Sequence, residues 1–244
     1  MTKVWAHRGA SGYAPENTLE AFALAAEMGA DAVELDVQMT RDGELVVLHD
    51  ETTDRVSGVS GWVKDFSLAE LKRLSVNRPI PGYRAVQIPT LREVYELLKP
   101  TGLEINVELK TGIVFYPQME EKVLGLAAET GMEERIWYSS FNHYTLRRLR
   151  ERKQDVRLGM LYADGLYEAA KYAEGLGVDA LHPALCNVQY PDYMEKARQK
   201  QLRVHVWTVN EECYLRQMAQ LGVDAVITNY PDRAREVLGR SAEL

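Results

Sequence analysis

The chain has little cysteine. Only Cys186 and Cys213 occur in 244 residues, far apart and outside any motif. That excludes a disulfide-stapled fold and suits reduced thiols in a cytoplasm. No long apolar stretch follows a charged region at the N-terminus, so no secretory signal is expected. No apolar run approaches the ~20 residues that span a bilayer. A cytoplasmic location without an integral membrane segment is therefore expected. Positive charge is also short: 29 Lys and Arg stand against 36 Asp and Glu, a net charge of −7. A nucleic-acid surface normally needs a basic patch, so nucleic acid is not an expected partner. Local cations still suffice for one phosphate. No linker or low-complexity segment divides the chain, and its length suits a single α/β domain over 1–244 with a full core.

Short apolar, β-branched runs alternate with longer amphipathic ones. Strands are predicted at 4–7, 32–37, 45–49, 102–109, 135–139, 156–161, 179–182, 202–208 and 224–228. Helices are predicted at 18–28, 90–99, 116–130, 144–152, 167–176, 191–201, 211–221 and 231–240. Three helices end at Gly29, Gly177 and Gly222, each followed by Ala or Val, then Asp-Ala and a strand. This join is a weak internal repeat, with glycine as the usual helix stop. Strand alternating with helix implies a parallel sheet. About eight units in this length fit a TIM barrel, with a doubly wound open sheet as the alternative. Both architectures place their sites at the C-terminal ends of the strands. The rhythm breaks over about 51–89, which reads as an insertion near the site, with a short helix over 66–74.

Charged residues recur at regular offsets: His7-Arg8, Glu34-Leu35-Asp36, His49-Asp50 and Glu108-Leu109-Lys110. Glu34 and Asp36 are two apart, as are Glu108 and Lys110, so on a strand each pair shares a face. The intervening residues are apolar. Charged side chains are rarely buried without a partner or a metal. A polar, metal-loaded pocket is the economical reading; a structural ion-pair network with Arg8 and Lys110 is the bland one.

In chain order the sequence also contains His-Arg-Gly at 7–9, Pro-Glu-Asn-Thr at 15–18, Ala21-Phe22, Glu-Leu-Asp-Val at 34–37, Thr40, Asp42-Gly43, His49-Asp50 and Arg55. Glu-Leu-Lys at 108–110, Ser140-Phe141, Trp-Thr-Val-Asn at 207–210 and Thr-Asn-Tyr-Pro at 228–231 follow. Together these resemble the glycerophosphodiester phosphodiesterase family, and the short length resembles its cytoplasmic bacterial members. The resemblance implies a (β/α)8 TIM barrel with a small insertion after the second strand, which 51–89 supplies. It implies metal ligands at Glu34, Asp36 and Glu108, a general acid and base at His7 and His49, and phosphate-contacting cations at Arg8 and Lys110. The implied reaction is hydrolysis of a small-molecule glycerophosphodiester to an alcohol and sn-glycerol 3-phosphate. Two positions depart from the family pattern: Thr53-Asp54, where a leucine is common before Asp and Arg55, and Asn229, where many members have Asp. Neither departure is expected to touch the catalytic set.

A phosphodiester anion repels a nucleophile, and a divalent cation relieves that repulsion. Three carboxylates offer only hard oxygen, which favours Mg²⁺ or Ca²⁺ over Zn²⁺. Arg8 has a planar fork suited to phosphate oxygens. Imidazoles serve as acid or base near neutrality, so His7 and His49 divide the proton transfers. The neighbouring glycerol hydroxyl, through a cyclic phosphate, and direct attack by water are competing routes. Phe141, His182 and Trp207 are candidate pocket-wall residues, with core packing nearly as good a reading for the aromatics. His205 reads as part of a polar layer inside the barrel and His143 as a solvated helix-start residue. Asn17 with Glu20 reads as a capping box, with a place near the ligand as the second reading for Asn17. The run of basic residues from Arg147 to Lys153 reads as a solvated helix face. A lysophospholipase D-type enzyme, which would want an apolar surface at the mouth, and a non-catalytic phosphodiester-binding barrel are the competing functions.

Overall fold

A computed structural model describes residues 1–77, 80, 82–84 and 86–239. Pro79, Pro81 and the predicted helix end at Arg240 lie outside the described residues. In chain order the elements are β1 (Lys3–His7), α1 (Leu19–Glu27), β2 (Ala32–Met39), β3 (Leu45–Val47), α2 (Asp54–Ser57), α3 (Leu68–Leu71), α4 (Leu91–Leu98) and β4 (Glu104–Leu109). Then come α5 (Met119–Thr130), β5 (Ile136–Ser140), α6 (His143–Arg152), β6 (Arg157–Tyr162), α7 (Ala169–Leu176), β7 (Ala180–Pro183), α8 (Tyr193–Gln199), β8 (Arg203–Val206), α9 (Glu212–Leu221), β9 (Ala225–Thr228) and α10 (Pro231–Val237).

Eight of the strands run parallel in the order β1-β9-β8-β7-β6-β5-β4-β2, and pairing of β1 with β2 closes the ring. This is a (β/α)8 TIM barrel. The predicted strand at 45–49 is not a barrel stave. Residues 45–47 of it form β3, which pairs antiparallel with β2 as an outer flap. The strands are buried on both faces, so β2 carries no exposed residue in eight positions. Outward Val33, Leu35 and Val37 join the apolar core beneath the helices, which leaves inward Glu34 and Asp36 for the barrel interior.

The recurring Gly-x-Asp-Ala join has a structural reason. The three glycines sit at positive φ after their helices. Each following aspartate then reaches sideways to the preceding barrel strand. Asp31 Oδ2 accepts from Val4 N at 2.7 Å, Asp179 Oδ2 from Leu158 N at 2.8 Å and Asp224 Oδ2 from Val204 N at 2.8 Å. Backbone N–H groups of the same aspartates donate to the carbonyls of Val4, Leu158 and Val204. The repeat is thus a clamp that starts the parallel ladder at the N-terminal end of β1, β6 and β8.

The insertion packs a small core of its own. Val46, Leu48, Val56, Val63, Leu71, Val76, Val86 and Ile88 form a cluster separate from the main one. The helix predicted at 66–74 shortens to α3, opened by a capping box between Ser67 and Glu70. Phe66 packs against this cluster, while Val59 and Trp62 remain exposed.

Candidate active site

β2 and β4 pair with Asp36 opposite Glu108, and β1 sets His7 opposite Glu34. The register therefore gathers three carboxylates and an imidazole on adjacent strands. One oxygen from each of Glu34, Asp36 and Glu108 lies within 4.8 Å of the others, and all three residues are buried. Lys110 Nζ stands 2.9 Å from Glu108 and 3.6 Å from Asp36. Arg8 Nε lies 3.3 Å from Asp36, and its backbone N–H donates to Glu34 Oε2 at 2.9 Å. Arg8 takes positive φ, and at Gly9 a side chain would meet Ala21 at 2.6 Å. This tight turn lays the Arg8 backbone against the carboxylates.

Three crowded acids cannot all ionise cheaply. Burial, then the neighbouring Asp36 and Glu108 charges, raises Glu34 well above the usual carboxylate range. Burial and Asp36 push Glu108 up to about 7. Asp36 goes the other way. Burial opposes its ionisation, yet Arg8, Lys110, His49 and the hydrogen bond from Asn17 outweigh it and hold it low. Asp36 Oδ1 is buried and accepts no hydrogen bond. A divalent cation fits this set: it satisfies that oxygen and removes the repulsion among the carboxylates.

The two histidines are anchored differently. His49 Nδ1 lies 2.6 Å from Asp50 Oδ1, an acceptor, so Nδ1 carries the proton. His7 Nδ1 lies 2.7 Å from Asn229 Oδ1, which makes the same tautomer. Each ring therefore keeps Nε2 for the cavity that both residues line. Burial and then Arg8 lower the His7 pKa to about 4, against smaller opposing effects from Asn229, Asp36 and Glu16. Asp50 is held by Arg55, which also grips Glu16, and Glu16 in turn pairs with Arg8 at 2.9 Å. One charged network thus joins the turn after β1 to the start of the insertion.

The cavity measures about 160 Å³ and is lined by His7, Arg8, Glu34, His49, Asn106, Glu108, Phe141, Leu161, Trp207 and Ile227. Phe141 and Trp207 form an edge-to-face pair with centroids 5.5 Å apart. Asp36 and Lys110 adjoin this lining through Glu108.

Several expectations need correction. His182 does not reach the cavity: it is fully buried, with Nε2 2.8 Å from His205 Nδ1, and Leu161 takes the wall position. Asn17 is not the helix cap. Thr18 is, its Oγ1 accepting from Ala21 N, while Asn17 sits at positive φ and donates to Asp36 Oδ2 at 2.8 Å. His143 begins α6 but is tied to the Leu161 carbonyl at 2.9 Å and to Tyr172. Asn229, expected to stand clear of the catalytic set, contacts His7 directly. Glu16, Asn17, Asp50, Arg55 and Asn229 all lay within quoted motifs, which was the available signal; Asn106 had none beyond its place two residues before Glu108. The basic run on α6 pairs with acids on its surroundings, including Glu120, Glu121 and Asp179.

The glycerophosphoryl diester phosphodiesterase family profile matches residues 7–233. A glycerophosphodiester phosphodiesterase of Caldanaerobacter subterraneus is 42% identical over 232 residues, covering 95% of each chain. The crystal structure of a glycerophosphodiester phosphodiesterase from Agrobacterium tumefaciens superposes with a TM-score of 0.85 at 27% identity, covering 99% of this chain and 100% of that one. A phosphodiesterase from Oleispira antarctica, solved with the product sn-glycerol-3-phosphate, gives 0.85 at 28% identity and covers 98% and 97%.

Proposed function

Since the chain belongs to the glycerophosphoryl diester phosphodiesterase family and is such a phosphodiesterase, we propose that it hydrolyses glycerophosphodiesters to an alcohol and sn-glycerol 3-phosphate, with a divalent metal ion and two histidines. The observation that carries this reading is the convergence of Glu34, Asp36 and Glu108 beside Arg8, Lys110, His7 and His49. Glu34, Asp36 and Glu108 would hold Mg²⁺ or Ca²⁺, since the donor set is all oxygen. When bound, the ion supplies charge neutralisation and Lewis-acid polarisation of the phosphodiester.

The chain's own residues supply the rest. Arg8 and Lys110 bind the phosphoryl oxygens. Lys110 keeps its proton: burial works against it, but Glu108 and Asp36 raise its pKa. Through Nε2, His7 and His49 take a proton from the attacking hydroxyl and return one to the departing alcohol. Attack by the neighbouring glycerol hydroxyl and attack by water draw on this same pair. Two free, exposed thiols fit a reducing, cytoplasmic setting. Among the described residues no helix is long and apolar enough to cross a membrane. The test is release of glycerol 3-phosphate from a panel of glycerophosphodiesters with and without a chelator. Turnover that a chelator leaves intact removes the metal.

One observation favours a second reading, a lysophospholipase D-type activity. Exposed Ile113 and Phe115 follow β4, Phe141 and Tyr144 follow β5, Leu166 and Tyr167 follow β6, and Tyr190 follows β7. The segments after four successive strands at the C-terminal end of the barrel thus expose apolar side chains, Phe141 among them at the cavity wall. Comparing kcat/KM for glycerophosphocholine and lysophosphatidylcholine separates the two readings. A non-catalytic barrel is disfavoured by the presence of both His7 and His49 at the cavity.

A further inference from the structure

A second and larger cavity, about 370 Å³, opens at the opposite, N-terminal end of the barrel. Its lining includes Lys3, Trp5, Glu104, Trp137, Arg203 and His205, each earlier on its strand than the residues that reach the catalytic cavity. The end of a TIM barrel away from the catalytic loops ordinarily serves stability. Here it has an excess of hydrogen-bond donors.

The acceptors are already used. Glu104 is shared by Lys3 and Arg157, each at 2.6 Å. Asp224 Oδ2 is spent on Val204 N. The donors are not. Arg203 is exposed and has no anionic or hydrogen-bonding side-chain partner among the described residues; its guanidinium lies over the Trp137 ring, 5.9 Å from the centroid. Arg157 covers the same ring at 5.0 Å. The indole N–H groups of Trp5 and Trp137 are buried and find no acceptor among the described residues, and both side chains are more than nine-tenths buried. Unpaired buried donors are costly, and native folds rarely leave two beside one cavity.

We propose that this cavity is a binding site for a small organic anion, with a carboxylate or phosphate head at Arg203 and a flat or apolar body against Trp5 and Trp137. The head answers a guanidinium that has no counter-charge among the described residues. The body answers the indole walls and the apolar Val223 and Leu238 beside them. A single water takes about 30 Å³, so the volume suits an organic molecule better than a bare ion. This inference stands apart from the catalytic reading, because it uses none of the same residues.

The test titrates the full chain with benzoate and with phenyl phosphate by calorimetry and by tryptophan fluorescence, since Trp5 and Trp137 would report directly. The two probes separate a carboxylate from a phosphate head. Saturable binding with a Kd below about 10 mM is expected for at least one of them. Arg203→Ala, at an exposed side chain, should weaken it at least about tenfold, and Trp137→Phe should weaken it less. Lys110→Ala, at the catalytic end, should leave this binding unchanged. No saturable binding, an unchanged Kd in Arg203→Ala, or loss of binding in Lys110→Ala would each overturn the proposal. Thermal melts of both Arg203 and Trp137 variants separate lost binding from lost fold.

Discussion

His7 and His49 stand at the barrel mouth; His182 and His205 lie deeper in the same barrel. Each pair is made of two imidazoles on or just after strands, yet the surroundings give them opposite uses. The mouth pair spends Nδ1 on Asn229 and Asp50 and keeps Nε2 for a cavity lined with charge. The deep pair bonds to itself at 2.8 Å and packs against Trp5, whose ring lies 4.3 Å from His205 and 5.9 Å from His182. Gly159 makes room for it, since a Cβ there would fall 2.2 Å from His182. Burial lowers both His7 and His182, so a perturbed pKa does not by itself mark function. What separates the pairs is access and the kind of partner on Nδ1.

The sharpest way to break the comparison is at the carboxylates that only the mouth has. Glu34→Gln or Asp36→Asn should lower kcat/KM by more than about 10³, some 4 kcal/mol of transition-state stabilisation, and weaken Mg²⁺ or Ca²⁺ binding in calorimetry. In chelator the effect on folding should reverse for Glu34→Gln. Removing one of three crowded acids relieves repulsion, so its melting temperature should rise above wild type. Unchanged metal affinity in both variants would take these residues out of the ligand set.

Next come the imidazoles themselves. His7→Ala and His49→Ala should each cost about 10²–10⁴ in rate, while a substrate analogue binds almost as before. His182→Gln should leave the catalytic rate within a few fold. Equal losses at His7 and His182 would erase the distinction between the pairs.

Asn229→Asp tests the partner on Nδ1. A neutral amide holds His7 now; a carboxylate would favour its protonated form. The acidic limb of the pH–rate profile should move up by about one unit, with a loss of about fivefold near pH 4 and little change at pH 6. An unmoved limb would mean that His7 is not the group titrating there.

The deep pair makes its own prediction in folding. In the unfolded chain an imidazole takes its proton near pH 6.5, whereas burial holds His182 down to about 3 in the folded barrel. Burial, then His182 and the cations Arg203, Lys3 and Arg157, push His205 in the same direction. The unfolded state therefore binds more protons over that window, and stability falls as the pH drops below about 6.5, by up to about 1.4 kcal/mol per pH unit per histidine. Denaturant midpoints of wild type and His182→Gln should converge as the pH falls. A constant gap would show that His182 keeps an ordinary imidazole pKa in the folded barrel.

Much of this was legible in the sequence, for physical reasons that differ by element. The barrel was visible because parallel strands buried on both faces read as apolar runs between helices. The carboxylate pairs were visible because a two-residue spacing survives any detail of packing. Position 45–49 misled because an antiparallel flap and a barrel stave share the same β-branched composition. Asn17 misled because a cap and a positive-φ turn residue favour the same side chain. Asn229 and His182 needed the closed barrel. One sits more than 220 residues from its partner, and nothing along a strand says whether an imidazole ends in a cavity or beneath it.

The smallest effects should come from the wall. On the proposed reading Arg8, Lys110 and the metal meet the phosphodiester common to every candidate substrate, so discrimination between alcohols falls to other surfaces. Phe141 and Trp207 form one aromatic edge of a cavity whose other wall residues include Leu161 and Ile227. Every acidic residue among the cavity lining is a proposed metal ligand, which leaves none dedicated to a cationic headgroup. Choline, ethanolamine and glycerol diesters should therefore turn over within about tenfold of one another, a spread of about 1.4 kcal/mol. Phe141→Ala should lower all three together by a few fold, because it removes packing and not a specific contact. A preference of several powers of ten for one diester, abolished by Phe141→Ala, would instead make the aromatic pair a headgroup pocket and assign it a selectivity that the carboxylates and imidazoles cannot supply.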